Sequence, residues 1–319
     1  MATKDPYPDI SDKYDARIRE ALDVVWENVR RSESLANLEY IVETQGIAGL
    51  LPILETLPDE LSAQLRPVIE DAIAESGRVV VQVLPKAAVT GPVVFSLVTP
   101  QVSTYINNYV GQLIREVSDE TVKAVQIAVN QGVVTGRNPR QIARDFRSSI
   151  GLTTRQEMTV QRLRSALEKG EAGYVNSLTT VTDSAKNAVS AGKLSQAKID
   201  QIIEQTRLRY VKQRTETIAR TESLRAVSVG QDQAIRQGQI TGAISNELLK
   251  RWLYRKDGRT RDAHISTGET NGWIPMNRPF STPLGPLMFP RDPNGSAANV
   301  INCRCRVQYS LPEDIGLLG

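Results

Sequence analysis

The sequence predicts an α+β chain that is mainly α: an elongated helical body carrying a small, loop-rich C-terminal α+β module. Three observations carry this. Over most of the 319 residues, apolar side chains recur at three- and four-residue intervals in stretches free of proline. Aromatic residues are scarce, with four Phe, three Trp and nine Tyr, so Ala, Val, Ile and Leu must fill the core. From about residue 245 the helical period gives way to turn residues, and the last 75 residues hold seven of the 16 prolines, both cysteines and the only histidine. The length suits about two ordinary domains. Composition divides it into an N-terminal helical region, 1–116, a second helical part, 117–244, and the Cys/His-containing module, 245–319.

A first helix is expected from Asp12 to about Val42, carrying Ile18, Ala21, Val24, Val25, Val29, Leu35 and Leu38. Pro58, Asp59 and Glu60 are residue types favoured in a first helical turn, and they open a second helix to about Glu75. Valine-rich sequence broken by Pro85 and Pro92 predicts short strands or an extended connection from Arg78 to Val98. Thr99-Pro100 starts another helix, which residues 118–130 either continue or replace with a new one. Asn138 before Pro139 sets a capping side chain ahead of a proline at the first helical position. Thr154 with Glu157 reads as a capping box for a helix to about Leu167. Beyond a Ser-, Thr- and Gly-rich stretch, 170–192, Ser195 opens the longest helical run, ending near Gly230 or Gly238. Arg251 to Arg255 then alternates like a strand, and turn residues crowd 256–259, 271–273 and 279–295.

Charge is uneven along this plan. The chain has 39 basic and 36 acidic residues, a net of +3, which excludes a strongly basic nucleic-acid coat. The first 50 residues hold six basic and ten acidic residues, the last 75 hold ten and seven. The most apolar stretch, Val79 to Val98, is interrupted by Gln82, Pro85, Lys86 and Pro92, so no membrane span is expected. The first fifteen residues carry early acids and no apolar core of signal-peptide type, so export by that route is not expected.

Chemistry concentrates late. Thiolates and a neutral imidazole are preferred zinc ligands, and His264, Cys303 and Cys305 are the only residues of those types. A structural site wants four ligands; Asp262, nearest the histidine, could supply the fourth, as could Asp257 or Asp292. Two other readings stay open: buried thiols and a hydrogen-bonded histidine that position a loop, or a thiol nucleophile with a histidine base. Arg304 and Arg306 flank the thiols and would favour a thiolate in any of them. On the long helix, Glu216 and Arg220 can pair four residues apart, or Arg220 and Glu222 can dock against the C-terminal module or a partner chain. Lys250, Arg251, Arg255 and Arg259 could contact phosphate or form a solvated surface. No phosphate loop, HExxH helix or dinucleotide fingerprint occurs. The expectation is a protein that is not an enzyme, with no catalytic residues assigned.

An ordered series of motifs adds to this reading: QGVVTGRNPRQIARDF at 131–146, IARTESLRA at 218–226, Trp252 with Asp257-Gly258-Arg259-Thr260-Arg261, then His264, Pro290-Arg291-Asp292-Pro293 and Ile301-Asn302-Cys303-Arg304-Cys305-Arg306. The series resembles the Mu F-like and SPP1 gene-7-like family of tailed-phage head-morphogenesis, or minor head, proteins. It covers about Val117 to Tyr309, and the residues before it match no known motif. The resemblance implies a structural minor head protein, low in copy number and present in several copies at the portal vertex. It implies assembly with the portal protein and with the major capsid or scaffolding protein, and a role in head assembly and in DNA packaging or delivery. It places the chain in the virion, and in the host cytoplasm during assembly. It also implies structural zinc on His264, Cys303 and Cys305, with Arg220, Glu222, Trp252, Asp257 and Asn302 as fold-defining or interface positions. The alternatives are a C-terminal His/Cys/Asp-dependent hydrolase or transferase, and an internal head protein that contacts packaged DNA.

Overall fold

The computed structural model describes residues 5–192 and 194–317. Residues 1–4, which open the N-terminal segment read above, lie outside the described residues. Helices come first: α1 (Tyr7–Arg31), α2 (Leu35–Gln45), α3 (Leu57–Arg78), α4 (Pro100–Val134), α5 (Pro139–Ser149), α6 (Thr154–Lys169), α7 (Ala172–Ser177), α8 (Asp183–Ser190) and α9 (Gln196–Ile240). Then β1 (Leu249–Leu253), α10 (Asp262–Thr270), β2 (Trp273–Pro275), α11 (Ala297–Val300) and β3 (Arg306–Ser310) alternate in the C-terminal part. The fold is mainly α with a loop-rich C-terminal α+β module.

Local chemistry accounts for most of the boundaries. Asn138 and Gln141 form a reciprocal capping box that starts α5 with Pro139 in its first turn. The helix expected over 12–42 is two helices, because the Ser34 side chain accepts a hydrogen bond from the Asn37 amide and begins α2. The box of α6 lies one residue earlier than expected, on Thr153 and Gln156. Both frames fit the same pattern, and Glu157 is drawn instead into a buried ion pair with Arg207. Residues 118–130 continue α4 without a break. From Arg78 to Val98 no strand forms; 3-10 turns at Val80–Gln82 and Lys86–Ala88 lead into extended chain that is held by a single bridge, Val89 to Ile244, by hydrogen bonds between Ser96 and Gln237, and by apolar packing. Pro85 and Pro92 remove the amide donors a continuous ladder would need.

The chain forms two compact units, one from Met1–Glu20, Leu65–Val110 and Thr217–Gly319, the other from Ala21–Gln64 and Gly111–Glu216. Stretch 245–319 lies wholly in the first, whereas 117–244 contributes to both. In the second unit, Val160, Leu163, Leu167, Val175, Ile199, Ile202 and Ile203 build an aliphatic core. Beside it Arg207, buried, donates to Glu157 at 2.6 and 3.0 Å and to Asp145 at 2.6 Å. Arg137 and Arg164 tie Asp145 to Asp200.

In the first unit a three-stranded antiparallel sheet has the order β2-β1-β3, with Trp252 opposite Val307 and Arg251 opposite both Gln308 and Trp273. Side chains alternate along β1, which sends Lys250 and Trp252 to the buried face. Trp252 packs with Phe280, Leu287, Val300, Cys303 and Cys305. Burying a side chain of that size stabilises by about 2–3 kcal/mol.

Candidate metal centre

The Cys-x-Cys segment lies between α11 and β3 in extended chain, where residues two apart face the same side. Both thiols therefore turn inward, 1 % and 2 % exposed, while Arg304 between them stays half-buried. The turn that delivers them uses Asn302 in the left-handed region, φ 55°, its amide donating to the Thr221 hydroxyl at 3.1 Å. Asparagine is one of the few residues that adopts this conformation readily. His264, on the first turn of α10, is equally buried, and its Nδ1 lies 3.5 Å from the sulfur of Cys303 and 3.5 Å from that of Cys305. The three ligand atoms all fall within 4.8 Å of one another.

This spacing fits zinc. Typical Zn–S and Zn–N bonds arranged tetrahedrally separate the nitrogen from each sulfur by about 3.6 Å. The surroundings fix the donors in the form a metal needs. His264 Nε2 is 2.9 Å from Asn299 Oδ1, and the Asn299 amide nitrogen donates to the Thr282 hydroxyl at 2.9 Å and the Gly285 carbonyl at 3.2 Å. With its nitrogen committed, Asn299 presents an acceptor, so the imidazole proton sits on Nε2 and the Nδ1 lone pair points at the sulfurs. Arg291, buried and at φ 69°, donates to the carbonyls of Cys303 and Cys305 at 2.8 and 2.7 Å, and to Leu224 and Ser228 of α9. It clips both cysteines to the long helix. The Trp252 ring meets His264 edge-on, 5.4 Å between centroids, and its indole N–H, which has no oxygen or nitrogen acceptor, favours the thiolate of Cys305.

Electrostatics divide the trio. The Cys303 thiol is drawn well below its ordinary range by Cys305, against burial, with help from His264 and Arg291. Cys305 is pushed up by Cys303 and by burial. Burial pulls His264 down, but the hydrogen bond and negative charge of Cys303 outweigh it and raise the imidazole. Such a site holds protons that a cation must displace, so metal affinity rises with pH.

The aspartates considered as fourth ligands stand elsewhere. Asp262 is exposed at the start of α10. Asp257 receives a bidentate grip from Arg304 at 2.6 and 2.7 Å, which holds its carboxyl down at about 2. Asp292 is buried and accepts from the amides of Met288 and Asn294. None belongs to the convergent set. Of the α9 pair, Glu222 is buried against Arg225 and the Tyr109 hydroxyl, whereas Arg220 is exposed. The basic run is not one surface: Lys250 is 1 % exposed with its ammonium on the Met288 carbonyl at 2.6 Å, Arg251 lies over Trp273, Arg255 pairs with Asp257, and Arg259 is exposed. Sequence reasoning missed Arg291 and Asn299 as supports of the site. An arginine bracketed by Pro290, Asp292 and Pro293 was a signal for the first; nothing local marks Asn299.

Residues 179–308 match the family model described as Phage Mu protein F like protein. The match covers 130 of the 319 residues and supports a place for the chain in the phage head-morphogenesis family. The Mu F-like segment contains His264, Cys303 and Cys305 together with Asn299 and Arg291, so the whole centre lies inside the matched region. No curated protein and no solved structure matches the chain significantly. No helix among the described residues is long and apolar enough to cross a membrane. The donor set is consistent with a structural Zn2+ site. The expectation of a non-enzyme is corrected by the same observation: a buried His/Cys/Cys triad converging on one point is a plausible metal centre, and three protein ligands is also the format of catalytic zinc.

Proposed function

We propose that this Mu F-like protein holds zinc on His264, Cys303 and Cys305 and uses it for hydrolysis or group transfer in the course of phage head morphogenesis. The observation that carries the reading is the ligand set itself: three soft or borderline donors at zinc spacing, with no fourth protein ligand among the described residues. A coordination position left open by the protein is what distinguishes catalytic from structural zinc. The bound ion would supply a Lewis acid that polarises an acyl or phosphoryl group. The chain's own part is to keep Nδ1 deprotonated through Asn299, to hold the cysteine carbonyls through Arg291, and to exclude water with Trp252 and Phe280. Zinc-loaded protein is expected to hydrolyse p-nitrophenyl phosphate or p-nitrophenyl acetate, and Cys303→Ser to abolish this. Turnover that survives both chelation and Cys303→Ser, or zinc-loaded protein inert on both reagents, would refute a catalytic role.

The family match supports a setting for this chemistry. In that setting the chain associates with the portal protein and the major capsid or scaffolding protein in several copies at the portal vertex, in the virion and, during assembly, in the host cytoplasm. A role in DNA packaging or delivery would rest on Arg251, Arg255 and Arg259, since Lys250 is turned inward. A density map of procapsids checks the placement; a chain absent from both procapsid and virion would remove it.

A further inference from the structure

A cavity of about 770 Å³ lies in the first unit against one wall of the proposed centre. One side is a face of α9, with Arg220, Ser223, Leu224, Val227 and Gln231 spaced as neighbours on a helix. The start of α1 forms another side, and Arg291, Arg304, Cys305 and Arg306 close it. Its charge is one-sided. Arg19, Arg220, Arg255, Arg291, Arg304 and Arg306 line it, against Asp5, Asp12 and Asp15. Most of these cations are already matched: Arg19 with Asp15, Arg306 with Asp5, and Arg304 and Arg255 together on Asp257. Arg291 spends its donors on carbonyls and a hydroxyl and forms no ion pair with a carboxylate among the described residues. Arg220 is exposed and has no acidic partner among the described residues. Among the described residues the cavity therefore offers two cations without an ion pair, buried Arg291 and exposed Arg220, against one such carboxylate, Asp12, with apolar wall from Val83, Leu224, Val227 and Val307.

An arginine fork that is unpaired beside apolar wall is suited to an oxyanion attached to an apolar body, and phosphate matches its bidentate geometry. We infer that this cavity takes a phosphate monoester and that Arg220 is the residue that captures the phosphate. The inference goes beyond the zinc-dependent reading and does not rest on it: of the three proposed ligands only Cys305 lines the cavity, and binding of the phosphate by Arg220 stands apart from the metal.

The test is calorimetric titration of the full-length chain, zinc-loaded and metal-free, with phenyl phosphate, inorganic phosphate and acetate. Phenyl phosphate is expected to bind more tightly than inorganic phosphate, and acetate weakly. Arg220→Ala, a change at an exposed position, should weaken phenyl phosphate at least tenfold with zinc content unchanged, and Arg220→Lys should restore part of the loss. Binding that Arg220→Ala leaves intact would overturn the inference, as would binding that vanishes on zinc removal alone, because the anion would then sit on the metal. No binding of either phosphate by the wild type overturns it too. A protein that takes up no zinc yet binds phenyl phosphate through Arg220 would refute the zinc reading and leave the pocket standing.

Discussion

Two buried polar clusters differ in what they leave unsatisfied. Around Arg207 in the second unit, positive and negative groups alternate: Arg207 between Glu157 and Asp145, Arg137 and Arg164 between Asp145 and Asp200. Burial would lower the Arg207 guanidinium, but the two carboxylates outweigh it and hold the charge in place. Every charge in that network has an opposite partner. In the first unit His264, Cys303 and Cys305 turn lone pairs toward one another, with supporting donors and acceptors only behind them. Three acceptors facing one point are complete only with a proton or a cation between them. The first arrangement is a brace, the second a receptor.

The largest effect should come from breaking the brace. Arg207→Met leaves Glu157 and Asp145 buried without their main partner and is expected to cost about 3–5 kcal/mol in urea unfolding. It should leave zinc uptake unchanged, whereas linked loss of both would contradict two separate roles. Next is the receptor. Chelation of the wild type should lower stability by about 3 kcal/mol at zinc near 100-fold above its dissociation constant. Cys303→Ser or Cys305→Ser should show no such response to chelator in a thermal melt.

A third buried charge, Lys250, sharpens the contrast because it has neither a closed network nor an open one. Burial depresses its ammonium to about 8, while Asp232 and Asp292 pull it up and Arg236 opposes them. Because the folded pKa lies below the unfolded value, the unfolded chain binds the extra proton between about pH 8 and 10.5. Stability should therefore rise across that window, by up to about 3 kcal/mol from this group. Unfolding curves at pH 8 and 10 measure the rise, and Lys250→Met should flatten it; an unchanged slope would contradict the assignment. The smallest effect concerns the outer support of the receptor. Asn299→Ala frees the His264 tautomer and should reduce zinc affinity about 10–100-fold, and because it strips partners from the buried Thr282 hydroxyl and the Gly285 carbonyl it should also lower the metal-free melt.

How far the sequence could be read follows the same contrast. Features set by neighbours along the chain were legible: the Asn138 cap, the length of α9, the alternation of β1. So was the receptor, because Cys and His are rare enough here that three of them in one module point to each other. The brace was not legible, since arginines and acids are common and Arg207 lies 50 residues from Glu157 and 62 from Asp145. The same competition moved the α6 cap by one residue, when Glu157 left the surface for Arg207. Lys250 was read as a surface cation because alternation tells which residues share a face of a strand but not which face is buried. The aspartates stand outside the convergent set for a related reason: Asp257, for one, is held by Arg304, a pairing that nearness in sequence could not reveal.

The receptor has a role only if a metal fills it. Elemental analysis of the purified full-length chain, dialysed against trace zinc and then against buffer, addresses this directly. About one zinc per chain in the wild type and in Arg207→Met, and none in Cys303→Ser, is the expected result. A wild-type chain that stays metal-free with a melt unchanged by zinc or chelator would contradict it.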